Sequence, residues 1–314
     1  MTEVLIVSLL NGVLYGMLLF MLASGLTLIF GMMGVLNFAH ASLYMLGAYF
    51  AYEISTRMNF WTGLVVAPLL VGAFGAAIER WGLRTVHRNG HLAELLFTFG
   101  LVFVIEEAVQ LVWGRLPRDY VVPAELDFTL FRIHSTGYPA YRIFTMLLST
   151  TIFLGLLVSL TRTRIGLVIQ AALTHPRMVQ MLGHDVDRIA TLVFGVGCAL
   201  AGLAGVIGGN VLVTDPNMGH TIGTIVFVVI VVGGLGSLAG ALIASLCIGI
   251  LQTMAVPFDV PIQSMLPALG ASTGGQDGLL SRVTISRLGP LVPYLMLVLV
   301  LVLRPRGLLG KRDT

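Results

Sequence analysis

The side chains of this chain that could bind, relay or react are few and well separated. Asn37, His40 and Ser42 fall together at a short interruption between two apolar runs. Freed backbone groups at such a break can border a polar cavity, and a neutral imidazole both donates and accepts hydrogen bonds there. Asn37 and His40 have a second reading, in which they satisfy unpaired backbone at the break and never touch a solute. Glu106 and Glu107 are neighbours in another apolar run, so on a helix they point about 100° apart and at most one lines a pathway. Counted from Leu92, Glu106 lies about 20 Å along the helix axis. That position is toward the outer third, where pairing with Arg115, Arg118 or a helix end competes with proton relay, because a coupled carrier holds its ion site near the midplane. His87 and His91 are four apart, but Asn89 and Gly90 between them break the shared helix face that a metal pair needs. No Gly-x-x-x-x-Gly-Lys-Ser/Thr loop occurs, so any ATP is hydrolysed by another protein. The expectation is a chain with no catalytic residue, no metal and no cofactor of its own.

The elements that hold these residues follow from composition. Of 314 residues, 57% are hydrophobic and 11% charged, whereas a water-soluble domain carries about 25% charged residues. That excludes a soluble enzyme. The apolar surplus comes in stretches of roughly 20 residues, the length that crosses about 30 Å of hydrocarbon. The expected spans are Val4 to Phe30, Ala41 to Tyr52, Trp61 to Ile78, Leu92 to Trp113, Ile143 to Leu160, Ile189 to Gly209, Ile222 to Val232, Ala241 to Met254 and Leu291 to Leu303. The fold class is therefore an all-α polytopic membrane protein of about eight to nine transmembrane helices, forming one transmembrane domain over residues 1–314. The first run has no basic leader and no small-residue cleavage site, so it reads as a retained span. Cys198 and Cys247 lie inside apolar runs and read as packing residues.

Glycine interrupts the pattern twice. Gly31 and Gly34 mark a first helix break, and Gly233, Gly234, Gly236 and Gly240 a second. Gly12 with Gly16, Gly205 with Gly209, and Gly236 with Gly240 have the spacing that lets helices approach closely. The net charge is +3, but the basic residues are scattered, without the basic or aromatic platform a nucleic acid needs. Placing the N-terminus outside and the C-terminus in the cytoplasm puts eleven of the 18 Lys and Arg residues on the inner face, in line with positive-inside bias.

Segments 114–142 and 256–290 read as external loops, the former with a small hairpin around Phe128 to Ile133. Segment 162–188 reads as cytoplasmic and is unusually apolar for a loop. Pro176 suits the first turn of a short helix, Gly183 a stop, and Val179 with Met178, Met181 and Leu182 gives it an apolar side. Such a helix either fits a groove on a soluble partner or lies on lipid. Asp187 is expected to cap the next span.

Several stretches together resemble the LivH-type permeases of bacterial ATP-binding cassette importers for branched-chain amino acids. They are Gly25 to Ser42 (GLTLIFGMMGVLNFAHAS), Gly47-Ala48-Tyr49, Gly166 to Arg188, Val232 to Ala241 (VGGLGSLAGA) and the ending Arg304 to Gly310 (RPRGLLG). The resemblance implies an importer in the bacterial inner membrane built from two permease chains, two ATPase subunits and a periplasmic substrate-binding protein. It favours a homologous second permease as partner and an amino-acid-like cargo, with urea, short amides and aromatic acids as cargoes of related permeases. It also places the ATPase-coupling helix between Gly166 and Gly183, with Ala172, Pro176, Met178, Val179, Leu182, Gly183 and Asp185 as its candidate residues. The pathway candidates are Asn37, His40, Ser42 and Glu106. The stretch Pro257 to Pro290 is longer than the connection usual in such permeases. A rival from another class is a self-sufficient carrier that couples to an ion through Glu106 or Glu107.

Overall fold

The structure, a computed structural model, describes residues 2–133, 136–174, 176–258 and 284–310. It is a bundle of helices around α1 (Thr2–Met33). At 32 residues, this helix is about 48 Å long and outreaches the hydrocarbon core. From Leu18 to Thr27 it is buried on every side, the packing that a largely apolar helix requires.

Every expected span is a helix. They are α2 (His40–Arg57), α3 (Phe60–Ile78), α5 (His91–Trp113), α6 (Ala140–Arg162), α9 (Val186–Val211), α10 (Met218–Gly233), α11 (Leu238–Ala255) and α12 (Val292–Leu303). A π-helical turn (Glu79–Leu83) carries α3 directly into α4 (Arg84–His87). Among the described residues, seven helices are long and apolar enough to cross a bilayer, which makes the chain a multi-pass membrane protein; α2 falls outside that set, and α10 is a shorter apolar helix.

The glycines explain how the bundle closes. A Cβ at Gly249 of α11 would stand 2.4 Å from the Gly16 nitrogen and 2.5 Å from the Gly12 oxygen of α1. Backbone therefore packs on backbone there, as the Gly-x-x-x-Gly spacing implies. On α9, Gly202 meets Gly47 of α2, and Gly205 lies against the Tyr44 carbonyl.

Two local elements differ from expectation. Residues Arg164–Thr174 form a helix, α7, and Gly166 lies inside it instead of flanking the segment. A methyl there would stand 2.3 Å from the Ser159 carbonyl oxygen, so glycine lets α7 fold back on the last turn of α6. The cap of α9 is Asp185, whose carboxylate accepts from the Arg188 N–H at 3.1 Å. Asp187 instead sits in the first turn, where negative charge suits the helix dipole.

The hairpin in segment 114–142 is present as β1 (Thr129–Ile133) and β2 (Thr136–Pro139), antiparallel. Glu3 of α1 accepts from the Thr136 N–H and hydroxyl, both at 3.0 Å, so the hairpin lies on the face where α1 begins. Most of segment 256–290, residues 259–283, lies outside the described residues.

Candidate translocation cavity and coupling segment

After Met33 the chain turns back into the bundle, so α2 starts beside the middle of α1. His40 carries the evidence: its Nε2 lies 3.1 Å from the Leu22 carbonyl oxygen. Because a carbonyl only accepts, Nε2 bears the proton, which leaves Nδ1 the acceptor of this imidazole. Nδ1 is buried without a partner. Asn37 shapes the turn, its Oδ1 accepting from the Ala39 N–H at 3.1 Å and its carbonyl from the His40 N–H at 3.2 Å.

The start of α10 comes to the start of α2. A Cβ on Gly219 would lie 3.1 Å from the Ala41 carbonyl oxygen, and the rings of Phe38 and Phe227 stack 6.1 Å apart. Between these two helix starts, α5 and α12 is a cavity of about 380 Å³. Asn37, His40 and Ser42 all line it, as do His220 and Thr224 of α10, against the rings of Phe99 and Phe103. Neither helix start has a side-chain cap, so both leave N–H groups for water or a solute. Glu106 is half-buried on α5 and is not among the lining residues. The ion pair with Arg115 is made by its neighbour Glu107, at 3.9 Å.

The two glycine breaks meet at the opposite face. A Cβ on Gly236 would stand 3.3 Å from the Gly31 Cα, and one on Gly240 only 2.0 Å from the Gly233 oxygen. Gly234 and Gly236 have φ of +102° and +78°, and Gly34 +66°, a region that glycine enters at no steric penalty. The ending Arg304 to Gly310 closes this junction: the Leu308 and Leu309 N–H groups donate to the Val232 and Gly233 carbonyls at 2.8 and 3.0 Å. The tail thus satisfies carbonyls that the end of α10 leaves orphaned.

The coupling candidates lie on α7, on α8 (Pro176–Met181) and on the turn after it. The four apolar residues there do not share one environment. Val179 is 3% exposed and packs inward, whereas Met178, Met181 and Leu182 are 59%, 87% and 73% exposed. Ala172 is buried. Gly183 ends the segment with φ +86°, and Asp185 follows as the cap of α9.

At the start of α9 is a polar cluster that sequence reading did not assemble. Glu79, 2% exposed, accepts from Arg84 Nε and Nη2 at 3.4 and 3.3 Å and from the Thr191 hydroxyl. Arg84 also donates to Thr191 Oγ1 at 2.7 Å and to the Asp187 carbonyl at 2.8 Å. The cluster ties α3 and α4 to the start of α9. A second buried acid, Glu94, takes both His87 and His91 as partners. No His, Cys, Asp and Glu group able to hold a metal occurs among the described residues. The one signal for Glu79 and Glu94 was an acid near the end of an apolar run with a base five or seven residues away. One string escaped the sequence reading altogether: Gly270-Ala271-Ser272-Thr273-Gly274 has the Gly-x-Ser-x-Gly spacing. It lies outside the described residues, so the strand-to-helix turn that would make it a nucleophile elbow is not part of the described fold.

Residues 8–301 match the family described as branched-chain amino acid transport system / permease component. The chain belongs to that family. It is 28% identical to the high-affinity branched-chain amino acid transport system permease protein LivH of Escherichia coli K12, over 96% of this chain and 94% of LivH. It is 27% identical to the corresponding BraD protein of Pseudomonas aeruginosa, over 97% and 95%. It is also 28% identical to a probable branched-chain amino acid transport permease protein LivH of Methanocaldococcus jannaschii, over 78% and 79%. Membership covers both halves of this permease, including both glycine breaks and the segment from Gly166 to Arg188.

Proposed function

We propose that this permease is the membrane subunit of an ATP-driven importer that passes a branched-chain or related amino acid into the cytoplasm. Its partners are two ATPase subunits, a homologous second permease and a periplasmic substrate-binding protein, assembled in a bacterial inner membrane. The face bearing α8 is cytoplasmic, and the face where α1 begins is external. The C-terminal tail beyond α12 is then cytoplasmic as well. In this reading the chain carries no reaction; the external ATPases supply the work.

The observation that carries the proposal is the split on α8. Val179 anchors the segment on the permease, while Met178, Met181 and Leu182 are left bare. An apolar knob held rigidly from beneath is the shape that fits a groove on a soluble partner. ATPase closure pushes on α8, and the Glu79–Arg84–Thr191 cluster hands the movement to α3 and α9. The cavity at Asn37, His40 and Ser42 is the passage, and the junction at Gly31, Gly34, Gly233, Gly234, Gly236 and Gly240 is its flexure.

The test is Met181→Glu in the assembled importer, reconstituted in liposomes with leucine outside. The side chain is already exposed, so the variant inserts and folds as wild type. Leucine uptake is expected to fall about tenfold or more, because a desolvated charge at the contact is costly. ATP hydrolysis no longer responds to the loaded binding protein. Uptake at the wild-type rate would overturn the docking role of α8. Recovery of the permease from its membrane without two nucleotide hydrolases would overturn the class.

A further inference from the structure

A further cavity, of about 220 Å³ and mostly apolar, lies near the face where α1 begins, between α1, α6, α9 and α11. Arg142 of α6 reaches it. The guanidinium is held on two sides: Nη1 donates to Asn11 Oδ1, and its carbon stands 5.5 Å from the centroid of the Tyr138 ring. No ion pair among the described residues involves Arg142. Tyr138 supplies no counter-charge either, since burial raises its phenol above the ordinary value and outweighs the pull of Arg142.

The location adds to this. Arg142 is the third residue of α6, and the first turn of α6 holds no acid. A helix start already carries partial positive charge, so an arginine there adds to the field instead of cancelling it. A half-buried guanidinium at a helix start, without a carboxylate partner among the described residues, is suited to take an anion. The Asn11 bond uses one of its five N–H donors. The rest of the cavity has mixed character. Tyr15 and Thr253 bring hydroxyls, while Leu14, Leu18 and Val211 form an apolar wall. At this volume it is smaller than the roughly 300–1,000 Å³ of drug-sized pockets.

We infer that this cavity is a binding site for the α-carboxylate and apolar side chain of an amino acid, with Arg142 as the carboxylate ligand and Asn11 as the residue that positions it. The inference rests on the permease reading above and extends it: cargo is recognised by the permease before it reaches the passage at His40. A planar carboxylate takes two parallel N–H bonds from the guanidinium, and the leucine-lined wall takes the side chain.

The test measures binding of tritiated L-leucine to the assembled permease–ATPase complex in lipid nanodiscs, with no binding protein added. L-leucinamide, which lacks the carboxylate, is the competitor. Wild type is expected to bind leucine about tenfold or more tightly than leucinamide, the preference that a charged hydrogen-bonded pair supplies. Arg142→Gln is expected to lose that preference, and Arg142→Lys to keep a reduced one. Both variants are checked for wild-type elution in size-exclusion chromatography and wild-type thermal unfolding, so a misfolded complex is recognised. Arg142→Gln that still prefers leucine overturns the site, as does wild type that binds both ligands alike. Uptake by the same complex with its binding protein separates the two readings: wild-type uptake with an unaltered Arg142→Gln preference sinks the site alone, and absence of wild-type uptake sinks both.

Discussion

His40 Nε2 stands 3.1 Å from the carbonyl oxygen of Leu22, eighteen residues earlier in the chain. This single bond ties the start of α2 to the middle of α1 and turns a glycine-marked interruption into a cavity wall. Nothing in the local pattern around His40 names Leu22 as its partner, yet the depth at which α2 begins depends on that contact.

Substitution at His40 separates a lining role from a purely structural one. His40→Leu removes a buried hydrogen bond and is expected to lower stability by about 1 kcal/mol. It should also lower leucine uptake about tenfold, more than its stability loss explains. His40→Gln keeps an N–H donor and should recover most of the stability, measured by thermal unfolding of the detergent-solubilised complex. Wild-type uptake by His40→Leu would take the cavity out of the pathway.

The Glu79–Arg84 pair makes a prediction about sign. Arg84→Met strands a carboxylate that is 2% exposed, and breaking a buried pair in this way costs about 3–5 kcal/mol. The loss here is expected to be smaller, because one third of the Arg84 side chain is exposed to screening solvent. Adding Glu79→Gln should restore part of it, so the double variant unfolds at a higher temperature than Arg84→Met alone. A double variant less stable than Arg84→Met would show that the two side chains act independently.

Two glycines set a contrast in packing. A methyl at Gly249 would intrude on Gly16 and Gly12 of α1, whereas one at Gly100 in α5 meets nothing within 4 Å. Gly249→Val is therefore expected to prevent assembly of the bundle, and Gly100→Ala to leave it as stable or slightly more so. Expression followed by size-exclusion chromatography reads both outcomes. A monodisperse Gly249→Val protein would mean that α1 and α11 can part without losing the fold.

The spans were legible because the bilayer imposes them. A helix must cover the hydrocarbon thickness with apolar residues, so Ile189 to Gly209 announced α9 and Leu92 to Trp113 announced α5 almost to the residue. The α7 helix was not legible, since Arg164–Thr174 is too short for a span and needs Gly166 packed on Ser159 to fold back. The choice between Asp185 and Asp187 as cap was equally closed to sequence: both precede the same apolar run, and only backbone geometry selects the one whose carboxylate meets an N–H.

Sequence alone therefore determined that this is a polytopic helical protein, where its helices run, where glycine breaks them and which family it resembles. These are consequences of run length and local residue type. Tertiary structure decided which side chains share a space. Asn11 and Arg142 are 131 positions apart, and Glu79 and Thr191 are 112 apart. It also buried Val179 while leaving Met181 in the open two residues on. Such pairings depend on how helices dock, and docking is set by shape between distant surfaces, which a one-dimensional pattern does not carry.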